Sequence, residues 1–312
     1  MRAVFLDTST LGDDVDLSPI EQVAGGLTRY ERTVPEQVPE RIQGFDTVLV
    51  NKVQLNREHF KACPELKTIA VTATGVNNID MVAAKEHGVA VLNVTQYGRA
   101  TVAQHTMALI LALATRLLDY NRDVREGRWA RSDMFCLMDY PIMELEGKTL
   151  GVVGFGDLGQ GVAERARAFG MKVVLGCRPG QEPGSVGGYP RIPLDDLLAQ
   201  ADVLSLHCLL TEETRNMIGE RELKLMKPTA LLINTSRGGL VDEAALAVAL
   251  REGQIGGAGF DVLTEEPPRN GNPLLAEGIP NLIVTPHSAW ASREARQRIV
   301  EITARNLDSV QN

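Results

Sequence analysis

Short apolar runs alternate with longer stretches in which apolar residues recur every three or four positions, along nearly the whole chain. Runs of the first kind suit strands buried on both faces of a parallel sheet, and the second kind suits helices packed on that sheet. In the first third, strands are predicted at residues 2–7, 47–50, 68–72 and 89–93, and helices at 58–63 and 79–87. Gly88 is placed to end the second of these helices. One long helical pattern runs from about Thr101 to Glu126 and stops at Gly127-Arg128-Trp129. Residues 130–147 are apolar without clean periodicity and include Met134, Phe135, Met138 and Tyr140. That stretch reads better as an arm buried against a second subunit than as a loop folded on its own chain.

A second series begins after Lys148. Strands are predicted at 149–153, 171–176, 203–207, 230–234, 256–261 and 281–285, and helices at 161–169, 194–200, 220–226 and 243–252. Residues 179–190 are rich in Gly and Pro and read as a loop. An amphipathic helix closes the chain at 293–307. The alternation predicts a parallel α/β architecture in two units of different size.

Composition narrows the class. The chain has 312 residues and a formal net charge of -8, which argues against a general nucleic-acid binder. Cys63, Cys136, Cys177 and Cys208 form no CxxC pair and no zinc spacing, so no metal is expected and a reducing cytoplasm fits. The opening segment is too short in apolar length for a signal peptide and reads as a strand. The longest apolar run, 107–118, is interrupted by Arg116 and is too short to span a bilayer, so no membrane association is expected.

The first chemical motif is Gly154-Phe155-Gly156-Asp157-Leu158-Gly159, set between a predicted strand and a predicted helix. In that context a GxGxxG turn binds a dinucleotide pyrophosphate at the helix N-terminus. The next strand ends in Cys177-Arg178, with no acid to meet a ribose 2′-hydroxyl. Arg178 suits a 2′-phosphate instead, so NADP(H) is expected over NAD(H).

Arg237, Glu266 and His287 each follow an apolar run in the second series. Reduction of a 2-keto acid needs a carboxylate held, a carbonyl polarised and a proton delivered. The planar fork of Arg237 suits the first two tasks. His287 suits the third, and Glu266 suits orientation of His287 and favours its imidazolium form. His59, His87, His105 and His207 carry no comparable context.

These segments, in this order, closely resemble the D-isomer-specific 2-hydroxyacid dehydrogenase family over nearly the whole chain. Within it the likeness is to glycerate dehydrogenases, also called hydroxypyruvate reductases, through Phe135-Cys136, Tyr140-Pro141-Ile142 and His287-Ser288-Ala289-Trp290. The resemblance implies two Rossmann-like, doubly wound parallel-sheet domains with the active site in the cleft between them. A flavodoxin-like substrate domain would comprise 1–98 plus 288–312, and the cofactor domain would be inserted at 99–287. By the same likeness, Thr74, Gly75 and Val76 would hold the substrate carboxylate, and Trp290 would wall the pocket. Thr101, Thr235, Ser236 and Asp261 would meet the nicotinamide side of the cofactor, with Asp261 on its amide. His207 and Cys208 would lie on the adenosine side, Cys208 standing where proline is usual. The implied activity is reduction of hydroxypyruvate or glyoxylate by a homodimer. Reduction of a pyruvate-type or phenylpyruvate-type acid is an alternative. So is a cofactor-sensing corepressor-like binding protein, although the compact chain favours an enzyme.

Overall fold

The computed structural model describes residues 1–310, which divide into two units, 1–98 with the segment from 291 onward and 99–290. The first opens with β1 (Ala3–Phe5), α1 (Ser18–Ala24), β2 (Leu27–Arg29), α2 (Val38–Ile42), β3 (Thr47–Val50), α3 (Arg57–Ala62), β4 (Thr68–Val71), α4 (Met81–Glu86) and β5 (Ala90–Asn93). Its strands form one parallel sheet in the order β2-β1-β3-β4-β5, a flavodoxin-like order. The sequence pattern misses α1, β2 and α2, whose short runs carry too few apolar repeats to register. At the carboxyl ends of β1 and β3, the buried Asp7 carboxylate accepts the backbone N–H groups of Asn51, Lys52 and Val53 at 2.8, 2.6 and 3.1 Å.

The second unit starts with α5 (Arg99–Ala114) and α6 (Leu117–Arg125). The single long helix expected there is two helices, bent by 60°. The break falls where Arg116 adopts a left-handed conformation at φ 53°, which no continuous α-helix contains. Among the described residues, no single helix is long and apolar enough to cross a membrane.

Then follow β6 (Thr149–Val153), α7 (Asp157–Ala168), β7 (Lys172–Gly176), β8 (Gly184–Val186), β9 (Tyr189–Ile192), α8 (Leu194–Gln200), β10 (Val203–Leu206), α9 (Glu220–Leu225), β11 (Leu231–Asn234), α10 (Glu243–Arg251), β12 (Gly257–Phe260) and β13 (Leu282–Val284). The eight-stranded sheet runs β13-β12-β11-β10-β6-β7-β9-β8 and is parallel except where β8 pairs with β9. The Gly- and Pro-rich segment expected to be a loop thus contains a hairpin. Both its strands are short, and Gly187-Gly188 supply the positive φ that the tight turn demands. Helix α11 (Arg293–Ser309) belongs to the first unit, where it packs on α1.

Period-two burial sorts the second core onto two faces. Leu232, Leu204 and Leu206 join Leu246, Leu250 and Phe260 on one side. Leu231, Ile233 and Val203 join Ile110, Leu113, Val162 and Ala166 on the other. The strand order reverses between β10 and β6, so the carboxyl ends of those two strands flank the crevice in which doubly wound sheets bind ligands.

Candidate functional site

At that crevice Gly154 turns at φ 95°, and a Cβ there would collide with the backbone of His207 and Cys208. Only glycine allows the chain leaving β10 to pass so close. Gly159 packs against the Gly154 carbonyl with no room for a side chain. Gly156, by contrast, faces open space: beyond its neighbours along the chain, nothing lies within 4 Å of the position its Cβ would take. A cradle with a bare backbone facing outward, at the start of the 12-residue helix α7, fits a pyrophosphate.

Asp157 occupies the first turn of α7, and Leu158 follows it. One Asp157 oxygen lies 3.2 Å from Arg99 of α5, so this acid is matched by a cation from the neighbouring helix.

A pocket of about 390 Å³ opens beside the glycine turn, lined by Gly154, Gly156, Arg178, His207 and Cys208. Gln181 and Arg191 line it too, and neither stands out in the sequence. Arg191 sits on β9 opposite Leu175 of β7, and its Nε–H donates to the Glu182 carbonyl at 2.9 Å. The hairpin carries it there, and Phe155 of the glycine turn meets Tyr189 edge to face at 5.3 Å. Gln181 accepts the Arg178 backbone N–H at 3.1 Å. Among the described residues, neither Arg178 nor Arg191 has a carboxylate partner. Cys177 is buried, its N–H donating to the Ile192 carbonyl at 2.9 Å. Burial holds the His207 imidazole down to about 4, so it is neutral near pH 7, and its Nε2 meets Ser205 Oγ at 2.8 Å.

The three candidate catalytic residues follow neighbouring strands. Arg237 follows β11, Glu266 lies beyond β12 and His287 follows β13. Asn234, fully buried, folds the first loop: its amide donates to the Arg237 carbonyl at 2.9 Å and its Oδ1 accepts Ser236 N–H at 3.1 Å. Arg237 is exposed, with Nη1 donating to the Ser236 carbonyl at 2.7 Å. Glu266 Oε2 lies 2.7 Å from His287 Nδ1, while Oε1 accepts the Leu263 N–H at 3.0 Å. Burial pushes the Glu266 carboxyl upward. The bonds from His287 and Leu263 and the charges of His287 and Arg237 outweigh it, so the net shift is below the ordinary carboxylate value. The structure therefore joins Glu266 to His287 directly and sets Arg237 within electrostatic reach, without a direct bond to either.

The groups expected near the nicotinamide are tied into the scaffold. Thr101 Oγ donates to the Ala289 carbonyl at 3.0 Å, Thr106 and Thr235 hydroxyls meet at 3.0 Å, and Ser236 Oγ donates to the Cys208 carbonyl at 2.7 Å. Asp261 is 1 % exposed and accepts Ser288 N–H, Ala289 N–H and the Thr285 hydroxyl. A carboxylate has about four acceptor positions, so one on Oδ2 is still available. Trp290 is half-buried. In the first unit, Thr74 Oγ donates to the Val94 carbonyl at 2.8 Å, and the backbone N–H groups of Gly75 and Val76 make no internal bond among the described residues.

Residues 107–289 match the family model "D-isomer specific 2-hydroxyacid dehydrogenase, NAD binding domain". The chain is 46% identical to a glycerate dehydrogenase of Methylorubrum extorquens over 99% of its own length and 95% of the relative's. It is 39% identical to a hydroxypyruvate reductase of Blautia hydrogenotrophica, over 99% and 96%. Its fold matches an acyclic imino acid reductase, solved in complex with NADPH and D-Arg, at TM-score 0.86 and 30% identity, covering 100% of this chain and 97% of that one. On sequence, fold and site order together, the chain belongs to the D-isomer-specific 2-hydroxyacid dehydrogenase family and binds a nicotinamide cofactor.

Proposed function

We propose that this protein reduces hydroxypyruvate, and glyoxylate as a smaller analogue, to the D-2-hydroxy acid, with NADP(H) preferred and His287 as the proton donor. The Glu266–His287 pair carries the reading. A carboxylate only accepts hydrogen bonds, so the ring nitrogen facing it carries a proton, and Nε2 faces outward, a donor when the ring is protonated and an acceptor when it is not. The bound nicotinamide supplies the hydride. Arg237, free of any carboxylate partner among the described residues, holds the substrate's carboxylate and polarises its carbonyl. His287 delivers its Nε2 proton to the alkoxide oxygen, and Glu266 stabilises the charged ring that does so. The amides of Gly75 and Val76, without an internal bond among the described residues, are assigned to the substrate carboxylate as well.

Arg178 and Arg191 support the NADP(H) preference, since two guanidinium groups on one pocket, neither with a carboxylate partner among the described residues, attract a phosphate dianion. The NADPH bound by the structural relative agrees with it. The assembly proposed is a homodimer through the 130–147 arm, where Phe135 is 86 % and Met138 78 % exposed. All four cysteines are free thiols, which supports a cytoplasmic location.

NADPH oxidation on adding hydroxypyruvate tests the activity, with pyruvate and phenylpyruvate as comparisons. Tight cofactor binding without turnover of any 2-keto acid would overturn it in favour of a binding protein.

A further inference from the structure

His287 adopts φ 53°, in the left-handed region that a side chain with a Cβ rarely occupies. Such a conformation persists only where the surroundings over-determine it. The bonds that impose it converge on Asp261. His287 N–H donates to the Asp261 carbonyl at 2.8 Å, and Ser288 and Ala289 N–H groups donate to Oδ1 and Oδ2 at 2.9 and 2.8 Å. The Thr285 hydroxyl donates to Oδ1 at 2.5 Å.

One further group reaches this cluster from α5. His105 Nε2 lies 3.0 Å from Thr285 Oγ and 3.5 Å from Asp261 Oδ1. The single Thr285 proton is committed to a carboxylate, so the Thr285 oxygen is an acceptor toward His105, and His105 carries its proton on Nε2. We propose that His105 is a positioning residue for His287. It acts through Thr285 and Asp261, locking the turn that aims the catalytic imidazole. The proposal rests on the reading of His287 as the proton donor. His105 touches no reacting atom; it orients the hydroxyl that orients the carboxylate that fixes the Ser288 and Ala289 N–H groups, immediately after the His287 N–H held by the Asp261 carbonyl. A mis-aimed donor costs turnover more than ground-state binding.

The test uses the full chain with His105→Leu, which keeps bulk but cannot donate, and His105→Gln, whose amide N–H can replace Nε2–H. The relay requires His105→Leu to lower kcat roughly 10-fold or more, with KM for hydroxypyruvate and Kd for NADPH within about twofold, and His105→Gln to stay within about threefold of the parent. Thr285→Val should reproduce the His105→Leu loss and Thr285→Ser should not, which covers the case of a variant that does not fold. Backbone amide hydrogen exchange at Ser288 and Ala289 is read in parallel without substrate, and His105→Leu should speed it. If the parent turns over no 2-keto acid, the functional reading fails, and the exchange result still decides whether His105 locks the turn. A parental kcat and parental exchange in His105→Leu overturn the proposal. So does a loss confined to NADPH binding, or a folded His105→Gln as impaired as His105→Leu.

Discussion

The Glu266 carboxylate bridges its own turn and the imidazole of His287: Oε1 accepts the Leu263 N–H at 3.0 Å and Oε2 lies 2.7 Å from Nδ1. One side chain thus fixes which ring nitrogen faces outward and how the Glu266 turn sits against the end of β13. Glu243 supports the same turn from beneath, accepting Thr264 N–H at 2.8 Å and Asn272 Nδ2–H at 2.7 Å.

His287→Ala removes the proton donor and should lower kcat by roughly 10²–10⁴, with substrate KM much less affected. Glu266→Gln removes the negative partner of the protonated ring. The ring then keeps a neighbour of the same size but loses its charged acceptor, so kcat should fall roughly 10-fold or more. Steady-state kinetics of both variants checks the pair, and a parental kcat in Glu266→Gln would break the assignment.

Arg237→Ala should damage kcat/KM most, and Arg237→Lys should restore little of it, because an ammonium cannot span two substrate oxygens as a planar fork does. Gly238→Ala tests the same loop indirectly. A methyl group there would collide with the backbone of Leu263 and Thr264, forcing apart the loops that carry Arg237 and Glu266. Activity should fall sharply with cofactor affinity retained; full activity would show that the two loops tolerate separation.

Arg178→Ala should weaken NADPH binding by about 10- to 100-fold, the range for one charged hydrogen bond, and leave NADH nearly unchanged. Arg191→Ala should act in the same direction. Titration of both cofactors decides it, and equal losses for NADH and NADPH would assign these arginines to the adenosine or to the fold instead.

His207 gives a stability signature in the absence of ligand. Its folded value, about 4, lies below the ordinary 6.5, so the neutral ring contributes stability above that ordinary value. As pH falls, the unfolded chain takes up the proton first, and the contribution is lost between about 6.5 and 4. By about pH 5 the loss should reach at most about 2 kcal/mol relative to neutral pH. Urea unfolding at both pH values should show a smaller acid-side loss in His207→Gln, and an identical loss would mean that His207 titrates normally in the fold.

Phe135→Asp with Met138→Asp should convert a dimer to a monomer in light scattering if the arm forms the proposed interface, since a charge in a buried apolar contact is strongly disfavoured. Unchanged mass in the double variant would place the interface elsewhere.

Much of this was written in local patterns. A short run such as Leu231–Asn234, apolar on both faces, can only be a strand covered on both sides, and a GxGxxG between strand and helix has one structural context. Arg237, Glu266 and His287 were legible because each ends such a run. The sequence by itself determined the α/β class, the nucleotide turn and the family. It did not determine that β11, β12 and β13 are neighbours, and that adjacency brings the ends together. Arg191 lay hidden because glycine and proline masked the hairpin that delivers it. The left-handed break at Arg116 hid in a helical pattern because apolar spacing reports which face is buried, not whether the helix axis continues. His105 looked like one more helix residue, 180 positions from Thr285 along the chain. Only tertiary structure decided its partner, because a hydrogen bond depends on a distance of about 3 Å in space and leaves no periodicity in the sequence.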